Sequence, residues 1–211
     1  MTFVLPRKRG HQGRGRRFGL RGAGSETMIS LVVAAVPAAA LAATAFLYNR
    51  LVRLRNTVRA SWSDIDVMLR KRHDLVPNLV EAVKGYAGHE KSTLIGVTEA
   101  RADAMRAEGP EHRAKAENAF TDTLKSLFAL AEAYPDLKAD TGFLELQRQL
   151  VEIENGIEYA RRYYNAVVRD YNSLTEVFPS NLVASGFRFE REKFFELSSL
   201  DERDRVDVSF P

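Results

Sequence analysis

The sequence predicts an all-α protein, an up-and-down four-helix bundle preceded by one N-terminal transmembrane helix. Three observations carry that expectation. The 21 residues from Met28 to Tyr48 contain no charge. After them, apolar residues recur at steps of three and four, the mark of one buried helical face. No stretch alternates apolar and polar residues as a strand would, apart from Val206 to Phe210.

A chain of 211 residues with 45% hydrophobic content fits one domain plus appendages and allows a sizeable core. With no cysteine, disulfides, a thiolate nucleophile and cysteine-ligated metals are excluded. Residues 1–27 carry seven basic side chains against Glu26, a net of +6, so an overall charge of +3 leaves −3 for the remainder. The basic balance therefore belongs to a tail, and no nucleic-acid binding is expected of the folded part. That tail interleaves arginine with Gly10, Gly13, Gly15, Gly19, Gly22 and Gly24 and has no apolar period, so it is expected to be disordered.

The apolar run 28–48 would span about 30 Å as a helix, the hydrocarbon thickness of a bilayer. Ala40-Leu41-Ala42 and Ala43-Thr44-Ala45 also fit a signal-peptidase site. An uncleaved anchor is preferred, because the run outlasts a signal core and its period continues through Leu47, Leu51, Leu54 and Val58. The implied topology is a single-pass membrane protein. The side depends on the translation start. Seven basic residues precede the run and Arg50, Arg53, Arg55 and Arg59 follow it, so a start at Met1 exports the bundle. A start at Met28 holds the bundle in the cytoplasm, which is the preferred reading.

Four helices are expected across residues 48–178. The first carries Leu51, Leu54, Val58, Trp62, Ile65 and Leu69 and ends near Arg72; Trp62 is expected in the core. Pro77 has no N–H, and its ring clashes with the carbonyl four residues earlier. A reversal at 73–77 gives four helices of comparable length, whereas one helix running through Pro77 would leave much of its apolar stripe bare. The reversal is therefore expected, with Pro77 in the first turn of the second helix and Asp74 at its start. Glu108-Gly109-Pro110 ends that helix. The third carries Phe120, Leu124, Leu127 and Ala131 and stops before Pro135. The fourth repeats Phe143, Leu146, Leu150, Ile153, Ile157, Ala160, Tyr164, Val167, Tyr171, Leu174 and Phe178 without a miss. Residues 179–211 are rich in phenylalanine and are expected to plug the base of the bundle; entry of some rings into the bilayer interface is the other reading.

The segment YNRLVRLRNTVRASWSDIDVMLRKRHDLVPNLVEAVKGYAGHEKSTL, followed by AEAYPDLKAD, FLELQRQLVEIENGIEYARRYYN and FPSNLVA, resembles the LemA family in order and spacing over about residues 48–197. The resemblance implies a single-pass protein of the bacterial cytoplasmic (inner) membrane with a soluble helical bundle and no established enzymatic activity. It supplies no catalytic residue. The basic stretch 1–27 and Pro37 depart from the family's pattern.

The residues themselves offer little chemistry. A di-metal bundle needs Glu-x-x-His pairs, and this chain has none; His11, His73, His89 and His112 have no histidine neighbour at helical spacing. Ser61, Ser63, Ser92 and Ser173 lie in helical stretches without an adjacent base. Asp64 and Asp66 flank Ile65 on diverging sides. No enzyme, cofactor or metal is expected. What remains is a docking surface for an unidentified protein partner, on loops held at the far end of the bundle. Its residues are Arg70, Arg72, His73, Asp74 and Asn78 in the first connection and Tyr134, Asp136 and Lys138 in the third. The alternative is an accessory factor with an unrecognised hydrolase or metal-dependent activity.

Overall fold

The computed structural model describes residues 23–197, so most of the basic tail and the Val206–Phe210 stretch lie outside the described residues. Those residues form six helices and no strand: α1 Ala23–Ala87, α2 Lys91–Arg106, α3 Pro110–Glu132, α4 Pro135–Lys138, α5 Thr141–Glu176 and α6 Ser180–Gly186. The chain divides into two units, Met1–Ala45 and Phe46–Pro211.

In the first unit, every side chain from Leu31 to Ala43 is exposed, the valines and leucines included. Thr44 donates its hydroxyl to the Ala40 carbonyl at 2.9 Å, so its polar group is satisfied within the helix. Among the described residues α1 is the one helix long and apolar enough to cross a membrane.

The second unit is a bundle in which α1, α2, α3 and α5 alternate in direction. The bonds across it show the sense of each helix. Arg101 of α2 reaches His73 of α1. Early in α3, Arg113 meets Asp66, while Glu117 meets Arg72. At the start of α5, Asp140 bonds Tyr86; further along, Glu154 meets Arg72 and Trp62 stacks on Tyr164.

The reversal expected at 73–77 is absent. Helix α1 continues to Ala87, and the first turn is Gly88–Glu90. Two facts explain how the helix passes Pro77. The proline is exposed, off the buried stripe that runs Leu69, Arg72, Val76, Leu79, Val83. Its missing N–H orphans the carbonyl of His73, and Arg101 Nε donates to that oxygen at 2.6 Å. A side chain from the neighbouring helix thus replaces the lost backbone bond.

A second feature lets α1 run on without baring its apolar stripe. Helices α2 and α3 accompany α1 only above about Asp66, and below that level the C-terminal segment 187–197 takes their place. Phe189, Phe195 and Leu197 are buried in a lower core with Leu51, Val58, Ile65, Ala160 and Tyr164. An upper core holds Val76, Leu79, Val97, Phe120, Leu124 and Leu150. Phe189 and Phe195 are buried in the lower core, whereas Phe178, Phe187 and Phe194 are exposed. Trp62 is half-buried, between the rings of Tyr164 at 5.4 Å and Phe195 at 5.3 Å, so it sits at the edge of the core.

The segment 190–197 has no strand beside it, so α5 side chains satisfy its backbone. Asn172 accepts from the Glu192 N–H and donates to the Glu192 carbonyl, both at 2.9 Å. Asn165 does the same for Phe195 at 2.9 and 3.0 Å. The hydroxyls of Tyr171 and Tyr164 donate to the carbonyls of Glu190 and Lys193. Burial pushes the Tyr164 hydroxyl up to about 12, so it stays a donor. The chain enters this path through a helix-end motif: Phe189 N–H bonds the Ala184 carbonyl and Arg188 N–H that of Ser185, with Arg188 at a φ of 56°.

Candidate functional site

Arg72 and His73 do not lie on a surface loop. Both are buried, at 0% and 2% exposure, inside the part of α1 that belongs to the second unit. Arg72 falls at the spacing of the apolar stripe and so must point inward. On α3, the stripe Phe120, Leu124, Leu127 extends one step back to Glu117, which is also fully buried. These elements put a cation and an anion at the same height inside the bundle.

The guanidinium of Arg72 donates through Nη2 to Glu117 Oε2, and through Nη1 to Glu154 Oε1 of α5 at 2.9 Å and Thr121 Oγ1 at 3.3 Å. It also lies 5.2 Å from the centroid of Phe120. His73 Nε2 is 3.1 Å from Glu117 Oε1 and 3.3 Å from Oε2, with hydrogen-bond alignment to the latter. Burial alone would raise the Glu117 carboxyl, but the His73 hydrogen bond and the Arg72 charge together hold it below the ordinary carboxylate range. With Arg101 on the His73 carbonyl, four helices meet at two consecutive residues of α1.

This junction holds helices together. Arg72 engages both Glu117 and Glu154, while its Nε and Glu117 Oε1 are buried without a hydrogen-bond partner among the described residues. Phe120 closes the junction from the side, where the His73 ring also packs at 5.5 Å. Among the described residues no group of three or more histidine, aspartate or glutamate side chains is placed to hold a metal.

The other expected residues are distributed differently. Arg70 is exposed and pairs with Asp66 at 2.7 Å. Asp74 and Asn78 are exposed at the next two steps of four along α1, which makes one polar strip with Asp66 and Arg70. Because α1 continues, Asn78 sits about 12 Å below Tyr86 along the axis. The two expected loops are therefore not brought together.

The far end is formed instead by Gly88–Glu90 and the connection through α4. Tyr134 is half-buried, Asp136 and Lys138 are exposed, and the buried Leu137 fixes the connection to the upper core. Asp140 ties the two loops: Oδ1 caps α5 by accepting from Phe143 N–H at 2.8 Å, and Oδ2 accepts from the Tyr86 hydroxyl at 3.3 Å. The charge of Asp140 raises the Tyr86 hydroxyl above its ordinary value.

Residues 61–210 match the model of the LemA family. Similar proteins include Magnetosome protein MamQ 2 of Paramagnetospirillum magneticum, 27% identical over 193 residues, covering 79% of this chain and 71% of the relative. Protein LemA of Metamycoplasma hominis is 25% identical over 161 residues, 76% of this chain and 72% of its own length. Magnetosome protein MamQ of Magnetospirillum gryphiswaldense is 24% identical, over 70% of this chain and 64% of the relative. This is a helical protein with one candidate membrane-spanning helix, and the chain belongs to the LemA family.

Proposed function

We propose that the chain is a membrane-anchored helical module of the bacterial inner membrane that binds another protein through its far end and catalyses no reaction. The anchoring rests on one observation: an apolar helix segment, Leu31 to Ala43, that none of the described residues covers. An all-apolar helix with no protein around it matches the solvent of a lipid bilayer. The binding role is supported by the tip, where Tyr134, Asp136, Lys138, His89 and Tyr86 are presented on short connections braced by Asp140. The junction pairs Arg72 with Glu117 and Glu154, and His73 with Glu117, across three helices, which supports a structural role for it.

A photo-crosslinking side chain placed at Asp136, in the full chain and in native membranes, tests this reading. A discrete product is expected from Asp136 and not from Glu99 on the side of α2, and Asp140→Ala should weaken it by loosening the tip. Equal products from both positions would remove the tip as the docking surface. Stoichiometric metal or substrate turnover by the purified chain would replace the non-catalytic role.

A further inference from the structure

The base of the second unit combines exposed apolar side chains with arginines, which a merely solvated surface does not require. At the α5–α6 corner Phe178 is 74% exposed and Leu182 62%, with Val177 and Phe187 also more than half exposed. Four large apolar residues within eleven positions are a concentration, whereas single exposed ones are ordinary. The corner lies at the height where the apolar run of the sequence ends. The Phe187 ring is 4.8 Å from that of Tyr48, and Val177 shares a groove with Phe46, Arg50, Arg53, Leu54 and Leu174. Arg50 and Arg53 are exposed on α1 beside this groove, which Asp170 also lines, and Arg188 is exposed next to Phe187.

From this placement we infer that the α5–α6 corner is a second membrane contact. Val177, Phe178, Leu182 and Phe187 enter the headgroup–acyl boundary of the leaflet next to Tyr48, and Arg50 and Arg53 bind the phosphates of acidic phospholipids there. Apolar side chains flanked by cations match that boundary in both hydrophobicity and charge. Tyrosine at the end of the apolar run is an interfacial residue. The inference rests on the anchoring reading above and adds to it. The second contact holds the base of the bundle on the lipid.

The absence of cysteine makes the test clean. Single cysteines at Phe178, Leu182, Val36 and Ile95 of the full chain are spin-labelled in vesicles of phosphatidylcholine, alone or mixed with phosphatidylglycerol. Collision with oxygen and with a water-soluble nickel chelate is then measured. Oxygen is expected to dominate at 178 and 182, as at 36, and the chelate at the exposed α2 position 95. Immersion of 178 and 182 should deepen with phosphatidylglycerol, and Arg50→Gln with Arg53→Gln should cancel that gain. Labels at 178 and 182 as aqueous as 95, with 36 in lipid, overturn the second contact and leave the anchor standing. A label at 36 that is also aqueous removes both. A gain that survives the arginine substitutions overturns the assignment of the headgroups to Arg50 and Arg53.

Discussion

The carbonyl of His73 decides whether α1 can pass Pro77. A proline in a helix interior costs roughly 3 kcal/mol, part of it the unmade bond to the residue four positions back. Arg101 replaces that bond with a charge-assisted one. Arg101→Met is therefore expected to destabilise the bundle by about 1 to 3 kcal/mol. In a Pro77→Ala background the backbone N–H returns and the same substitution should cost about 1 kcal/mol less. Denaturant unfolding of the four proteins in the cycle measures this, and additive effects would mean that Arg101 acts elsewhere. Glu117 gives a second expectation. Its carboxyl is held below its unfolded value, so its contribution is present above about pH 4.5 and lost as pH falls through the lower folded value. Near neutrality Glu117→Gln should cost about 3 to 5 kcal/mol by taking from the buried Arg72 one of its two carboxylate partners. The gap from the native chain should narrow in stability measurements below pH 4.5, and a constant gap would show that the charge of Glu117 is not what stabilises. Part of this was legible. Arg72 falls on the apolar stripe of α1 and Glu117 one step before that of α3, and a charge on a buried stripe must find a partner inside. Arg101 was not legible, because its partner is a backbone oxygen that only the fold brings near.

At the scale of elements, α5 is the helix whose sequence said most. Ten of its eleven repeating apolar positions, all but Phe178 beyond its end, are buried or half-buried. Beside the seam, the dipeptide Tyr-Asn occurs at 164–165 and again at 171–172, two turns apart. All four side chains hold the backbone of 190–195, so the repeat is a signal for a docked extended segment that apolar period alone does not show. Asn165→Ala with Asn172→Ala should release it, since each asparagine satisfies two backbone groups worth about 1 to 3 kcal/mol when left bare. Hydrogen exchange is expected to accelerate at the Glu192 and Phe195 amides while α2 and α3 stay protected. Trp62 emission should shift to the red as Phe195 leaves it. Slow exchange at both amides would assign the hold to the buried rings of Phe189 and Phe195 instead. The turn of the first two helices was misjudged because comparing lengths treats the C-terminal segment as an appendage, whereas here it completes one wall of the bundle.

For the molecule as a whole, the fold class and the order of helices follow from periodicity, but the height at which they are joined does not. The lower and upper apolar cores are separated along α1 by Arg72 and His73. Apolar seams with steps of three and four are nearly self-similar, so α5 could slide against α1 by one turn, about 5.4 Å, and still meet leucine with leucine. The polar junction forbids that slip. With α5 displaced Arg72 would lose Glu154, and with α3 displaced it would lose Glu117; breaking a buried pair in this way costs about 3 to 5 kcal/mol, a large part of a small domain's margin of stability. Two residues that add little to the hydrophobic core thereby select one axial alignment from several that packing alone would accept.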